Sequence, residues 1–522
     1  MNNQPKENFQ YNSCREDGLC SLNPRTSALQ EILVLYLRLV SFYIIELQKK
    51  NYHSDKARNI IINTISIIVS NFEISDEDFK SLNNGYKVVL KELSQKYIEL
   101  GNNKNNIPKI LQDFININLE NNITSFVNLG EKEFLKDYQH TTIENRNLYQ
   151  ILFTISKSIC INFLDLETYG IESEEGFNAI VETLNFLNNT NNNLENIKKH
   201  ITEIVTTNNS LIKLLDSAQI KRYGIPREKS VSYSTIPNKA ILVVGSNIRE
   251  LEDILDITKD KNIDIYTHDN MILANTFPFF NSYSHLKGQY GQGLEDCLLD
   301  FATFPGPIIL TRHSLHNFAN LYRGKLYSTD IANSKGIISI KNKNFTPVIE
   351  SAYNSKGFKT GKTKKNKNIG YNFDELIETI KNQKNKYTQL IILGSTNEEK
   401  NEYFDKFLAK IPKNILVLSL TNCIKKENVI CINSNYDSFA PTKIINTLKK
   451  ETKIPITMFF PKCDNHTISQ IVYLITELNI KIYMGKCTPI LLNPNILKSF
   501  KKIFKINSIT TPQKDIEKIL QK

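Results

Sequence analysis

The chain changes its hydrophobic period once, near Tyr223, and that change decides what it can fold into. Before it, apolar residues fall three or four apart. The segment 29–47 places them at 29, 32, 33, 36, 40, 43, 44 and 47, and 57–72, 79–100, 146–166 and 177–187 carry the same spacing between Asn-rich or Gly-containing breaks. Helices with such a stripe bury it against one another, so a helical bundle domain is expected over 25–222. After the hinge Tyr223-Gly-Ile-Pro226 the apolar runs shorten. Strands are expected at 240–244, 263–266 and 307–310, with helical stretches such as 249–258 between them. A second series has strands at 390–393, 415–420, 455–460 and 480–484, and helices near 371–384, 398–410, 442–450 and 467–478. Strand alternating with helix is the pattern of a parallel sheet covered on both faces. The expected fold class is therefore multidomain, α and α/β. An N-terminal segment over 1–24 and the helical bundle precede two Rossmann-like parallel α/β domains over 223–366 and 367–522.

At 522 residues the chain is too long for one core, which agrees with several domains. Gln30, Glu31, Arg38 and Glu46 interrupt the greasiest segment, 29–47, which therefore reads as a core helix and not as a membrane span. The opening residues MNNQPKENFQYN have neither the apolar core nor the small-residue cleavage site of a signal peptide. A cytoplasmic location is expected, and with it eight cysteines kept as reduced thiols, not a disulfide framework. The net charge of +11 is spread along the chain except at 356–368, KGFKTGKTKKNKN, which reads as a solvated lysine-rich loop. No aromatic platform or reading helix accompanies it, so nucleic acid is not the expected partner. Thr360-Gly-Lys-Thr363 is no phosphate loop, because Lys356 stands where the first glycine is needed and no strand leads into it. Gly288, Gly291 and Gly293 lack the dinucleotide fingerprint and read as tight backbone turns.

Three words, AILVVGSNIRELEDILDITKDKNIDIYTHDNM, HLKGQYGQGLED and PGPIILTRHS, between Ala240 and Ser314, give the chain a family likeness. It resembles the hybrid cluster proteins, also called prismane proteins or hydroxylamine reductases. The resemblance covers nearly the whole chain, weakening over 101–144 and after 394, and implies the same order of one helical and two α/β domains. It also implies an activity: two-electron reduction of hydroxylamine, or reduction of nitric oxide, at an oxygen-bridged iron-sulfur cluster fed through an N-terminal cubane. In the family, VSGH, YTHGEM and TNC supply a His, a Glu and a Cys to that cluster; here those positions hold Ser246, Asn270 and Ser314. The family's GGCDG corresponds to Leu393-Gly-Ser-Thr-Asn397 and puts Ser395 at its modified cysteine. Its ACG corresponds to Thr421-Asn-Cys423 and puts Asn422 at a ligand, its GQCND corresponds to Asn433-Ser-Asn-Tyr-Asp437 and puts Asn435 there, and its last glutamate falls near Asn465. Neutral hydroxyls and amides do not replace imidazole, carboxylate and thiolate as iron ligands. At the N-terminus, Cys14, Cys20 and Pro24 resemble the second half of the four-cysteine cubane motif, whose first C-x2-C pair is missing. Two thiolates are too few for a cubane, so Cys14 and Cys20 read either as free thiols or as ligands to iron shared across a subunit interface.

Local readings complete the expectations. Ser246 or Asn247 is expected to cap the helix that begins near Ile248. His268, retained from the family's Tyr-Thr-His word, reads as a structural histidine. A single iron or zinc ion held by His268, His313, Cys423, Cys463 and His466 is an alternative whose spacing matches no closed metal site. Together these point to a divergent member of the family that has lost the hybrid cluster, carries no cofactor, and serves as a structural, interaction or small-ligand-binding protein. Its expected partners are a protein, a second copy of the chain or a small polar ligand, with no membrane. The alternative is an oxidoreductase reducing hydroxylamine or nitric oxide at a remodelled metal site, with an iron-sulfur cluster or a single iron or zinc ion. Because the substitutes are small polar residues and not large apolar ones, a hydrated polar cavity ringed by them is expected between the domains.

Overall fold

The computed structural model describes the chain except for residues 1–23, 71–73, 117–121, 137–141, 190–191, 292–296, 315–321, 323, 331–335, 395–401, 422, 425, 435–436, 462–464, 486–493 and 521–522, and the side chains of 116, 132–136, 297, 465–466 and 494. Cys14, Cys20, Gly293, Ser395, Asn422, Asn435 and Cys463 therefore lie outside the described residues, as do the side chains of Asn465 and His466.

The helical part comprises α1 (Pro24–Gln48), α2 (Asp55–Ser70), α3 (Asp76–Glu99), α4 (Lys109–Asn116), α5 (Ile123–Lys136), α6 (Ile143–Thr168), α7 (Glu174–Phe186) and α8 (Leu194–Tyr223). Ser75, Thr142, Ser173 and Asn193 start four of these helices, each side chain accepting a hydrogen bond from a backbone N–H of the first turn. Helix α1 runs through the middle of the bundle against α3, α5 and α7, buried along most of its length. It is long and apolar enough to cross a membrane, but here its apolar faces are covered by protein. Its Arg38 is buried too, and is satisfied by donating to Asn188 Oδ1 at 3.0 Å and to the Leu187 carbonyl at 2.8 Å. Helix α8 stops where the period changes, with Gly224 at φ +86° as its C-terminal cap.

After β1 (Lys229–Val231), the chain alternates as the sequence predicts: β2 (Lys239–Val244), α9 (Ile248–Thr258), β3 (Ile263–His268), β4 (Leu286–Gln289), α10 (Cys297–Thr303), β5 (Ile308–Leu310), β6 (Leu326–Ser328), β7 (Ile338–Ser339) and α11 (Thr346–Asn354). These strands form one parallel sheet in the order β4-β3-β2-β5-β6-β7. The second series runs β8 (Lys367–Ile369), α12 (Phe373–Gln383), β9 (Gln389–Leu393), α13 (Glu402–Lys410), β10 (Ile415–Ser419), β11 (Val429–Cys431), α14 (Ala440–Glu451), β12 (Ile456–Phe460), α15 (Asn465–Thr476), β13 (Lys481–Met484), α16 (Pro494–Ile503), β14 (Asn507–Ser508) and α17 (Pro512–Leu520). Its parallel sheet has the order β11-β10-β9-β12-β13-β14. The lysine-rich segment is exposed, as expected, but it is not a free loop. Thr235 and Lys362 exchange backbone hydrogen bonds at 3.0 Å, and β8 pairs antiparallel with β1.

In both sheets the strand that comes first in sequence, β2 or β9, lies inside, with later strands added on either side, so each has a switch point where loops leave in opposite directions. The first lies between β2 and β5, the second between β9 and β12. Helices α6 and α8 are the wall both sheets share. The second unit docks on them through α15 and α16. The first is fastened at the end of α8, where Arg222 and Tyr223 both donate to the Glu252 carboxylate on α9, at 2.6 to 2.8 Å.

Candidate functional site

The loop that leaves β2 is Gly245-Ser246-Asn247. Gly245 has φ +120°, and a methyl group built on it would lie 2.2 Å from both Ser314 Oγ and Thr311 Oγ1, so the loop after β5 packs directly under it. Asn247, not Ser246, is the cap of α9: its side-chain oxygen accepts from the Glu250 N–H at 3.1 Å, and its amide donates to Asp165 Oδ1 on α6 at 2.9 Å. That leaves Ser246 exposed in the cleft between the helical wall and the sheets. Asn270 lines the same cleft from the turn after β3, where Asp269 takes φ +57°. Ser314 is turned the other way: it is buried, and its hydroxyl lies 3.4 Å from the Val244 carbonyl, which Thr311 also contacts. Two of the three described family ligand positions thus meet at the cleft, and the third packs beneath the loop.

The cleft holds about 820 Å³ and is walled by α6, α8, the loops after β2 and β3, the start of α12, and α14. It is less purely polar than the substitutions suggest, since Ile212, Leu215, Ile220, Leu273 and Phe277 line it beside the charged groups. Lys443 on α14 donates to both oxygens of Asp216 at 2.8 and 3.0 Å and stands 5.0 Å over the Phe373 ring. Asp437 Oδ1 accepts from the N–H groups of Phe439 and Ala440, which open α14; burial and the neighbouring Asp216 push its carboxyl above the usual range. Sequence reasoning passed over Asp165, Asp216, Asp437 and Lys443, because no spacing connects them.

Behind Ser246 the switch point carries charge. Arg312, two residues before Ser314, has its Nε 2.9 Å from Glu250 Oε1, and its backbone N–H and the Thr329 hydroxyl donate to Glu250 Oε2 at 3.0 and 2.6 Å. Asp330 accepts from the His313 N–H and, across to the bundle, from Ser70 Oγ at 2.7 Å. Burial raises the carboxyl of Glu250, and pushes those of Asp165 and Asp330 up to about 7. Such a group holds its proton in the folded state after the unfolded chain has released it. The stability it contributes is full below about pH 4 and is lost as pH rises to about 7. Asp165→Asn is therefore expected to flatten that part of the pH–stability curve and to be the more stable chain at mildly alkaline pH by on the order of 2 kcal/mol, with water in the cleft screening part of the effect. Urea denaturation across the window checks this; an unchanged slope would sink it.

Of the alternative metal set, His268, His313 and Cys423 are described, and they form no ligand group; Cys463 and the His466 side chain lie outside the described residues. His268 is fully buried with Nε2 3.1 Å from Asp300 Oδ2, a structural placement in line with the sequence reading, although its Nδ1 has no hydrogen-bond partner. Cys423 is disulfide-bonded to Cys431, Cα atoms 6.1 Å apart, which corrects the expectation that the cysteines are all reduced thiols. The loop after β10 doubles back so that Cys423 meets the end of β11, a proximity that an eight-residue spacing does not reveal. It also removes Cys423 from any ligand set. Among the described residues no three His, Cys, Asp or Glu side chains are placed to hold a metal ion. Ser246 and Asn270 offer only a hydroxyl and an amide at the cleft, so the described donor set does not fit an oxygen-bridged iron-sulfur cluster.

A helical bundle carrying two parallel sheets, with a cleft between the bundle and the loops of both sheet units, defines the class: a multidomain α and α/β protein. The chain belongs to the Prismane/CO dehydrogenase family, which matches residues 8–429. The hydroxylamine reductase of Thermodesulfovibrio yellowstonii is 25% identical, with 98% of each chain covered. That of Methanocella arvoryzae is 24% identical over 97% of each. The hydroxylamine reductase of Kosmotoga olearia is 29% identical over 59% of this chain and 61% of its own. Among solved structures, the alpha subunit of acetyl-CoA synthase/carbon monoxide dehydrogenase is similar with a TM-score of 0.46 at 11% identity, covering 96% of this chain and 82% of that one.

Proposed function

We propose that this member of the hydroxylamine reductase family works without the hybrid cluster and binds a small polar ligand in the cleft at Ser246 and Asn270. One observation carries the reading: a cleft of about 820 Å³ remains at these family ligand positions, not filled by large side chains, and at Ser246 and Asn270 it offers a hydroxyl and an amide where the resemblance implies an imidazole and a carboxylate. Well-packed interiors leave few such voids, and a polar one is kept where something polar occupies it. The competing reading is a reductase acting on hydroxylamine or nitric oxide at a remodelled metal site, favoured by the shared name of relatives that match nearly end to end. The two separate in an anaerobic assay with a reduced viologen dye as electron donor. The proposed reading expects no hydroxylamine-dependent dye oxidation and no ammonia above the protein-free rate; turnover with ammonia formation contradicts it. Ser314→Cys is expected to remain equally inactive, because a cluster needs its ligands together and this side chain faces Val244.

A further inference from the structure

The cleft carries a charge pattern of its own. The chain as a whole is strongly basic, with a net charge of +11, yet the cleft is lined by five acids, Asp165, Asp216, Asp374, Asp437 and Glu451, against Lys213, Lys443 and Lys450. A concave site with low-dielectric walls concentrates the field of its excess charge. The excess sits at two places. On the first sheet's side, Asp165 receives one hydrogen bond, from Asn247, and its charged neighbours are Glu250 and Arg312, which are already paired with each other. On the second sheet's side, Asp216 and Asp437 share Lys443.

Each place also contains a buried polar atom with no hydrogen-bond partner. Asn162 is fully buried, lines the cleft, and stands one helical turn before Asp165 on α6. Its amide nitrogen donates to Asn208 Oδ1 at 2.7 Å, while its own carbonyl oxygen, Oδ1, accepts nothing. Near Asp437, the hydroxyl of Thr442 is buried in the cleft wall without a partner. Leaving such atoms unpaired costs about 1 to 3 kcal/mol each. A carbonyl oxygen and carboxylates can be satisfied only by a donor, and an anion would be repelled. The cleft wall also has aliphatic and aromatic residues, among them Ile212, Ile220, Leu273 and Phe277.

We propose that the ligand of this cleft is an aliphatic di- or polyammonium, one nitrogen donating to Asn162 Oδ1 and Asp165, another to Asp437 and the Thr442 hydroxyl, with the methylene chain against the apolar wall. The inference rests on the reading of the cleft as a ligand site and adds the chemical class of the ligand. Positive charge donated at both ends would offset the buried carboxylates and fill the orphaned acceptor.

Calorimetric titration of the full-length protein with putrescine and spermidine, beside succinate and butanediol as anionic and neutral probes of similar length, tests it. Binding of the amines in preference to both controls is expected, weakened about tenfold by Asp165→Asn or Asp437→Asn. The amide oxygen that Asp437→Asn introduces can still accept from the Phe439 and Ala440 N–H groups, so α14 keeps its cap and the variant stays folded, which circular dichroism verifies. Succinate or butanediol binding in place of the amines would overturn the cationic assignment while leaving the cleft a ligand site. Amine binding unaffected by both substitutions would place the amine elsewhere and overturn the proposal, as would the absence of any amine binding.

Discussion

Arg312→Met is expected to destabilise the folded protein by about 3 kcal/mol at mildly alkaline pH, the low end of what breaking a buried ion pair costs. The low end applies because the Arg312 side chain keeps 31% of its surface exposed. Its guanidinium pairs with Glu250 and also opposes the charges of Asp165 and Asp330, so removing it leaves these carboxyls at the switch point without their shared cation. Two consequences distinguish this from a simple loss of packing. Glu250→Gln in the same chain should recover at least half of the loss, since the stranded charge goes with it. The cost should also shrink at mildly acidic pH, where Asp165 and Asp330 hold their protons. Urea denaturation of the two single variants and the double variant at both pH values measures each term. A loss below about 1 kcal/mol, the range of exposed pairs, or no rescue by Glu250→Gln, would mean that Arg312 is a surface pair only.

Gly245→Ala is expected to cost a similar amount, about 3 kcal/mol, from two sources that add: a backbone conformation that side chains rarely adopt, and a methyl driven against two hydroxyl oxygens that have little room to retreat. Both hydroxyls are already drawn to the Val244 carbonyl. Gly101 supplies the internal control. It too has positive φ, +83°, but nothing lies within 4 Å of where its Cβ would be, so Gly101→Ala should cost only about 1 kcal/mol. Equal losses in the two variants would show that the contact under the β2 loop is not tight.

The sequence yielded the long elements because burial on both faces writes them as unbroken apolar runs, such as the AILVV of β2. The shortest strands, at or next to the sheet edges, were missed for the complementary reason. Strands β6, β7, β11 and β14 span two or three residues each and are strands only because a neighbour supplies their hydrogen bonds. At the site, Ser246 and Asn270 were found through the family words that surround them. Ser314 was found the same way, but a word does not say which way its side chain turns. Asp165, Glu250, Arg312 and Asp330 come from widely separated segments, and only the packing of α6 against the first sheet assembles them. The orphaned carbonyl of Asn162 has no sequence signature at all, since an unmet hydrogen bond is a property of the packed interior.

The central claim, that the chain keeps the family's scaffold and not its cluster, is tested most directly by iron and acid-labile sulfide analysis of protein produced with adequate iron supply and purified without oxygen, together with its visible spectrum. The account predicts a colourless, folded protein with substoichiometric iron and sulfide. A brown protein with both in stoichiometric amounts would contradict it.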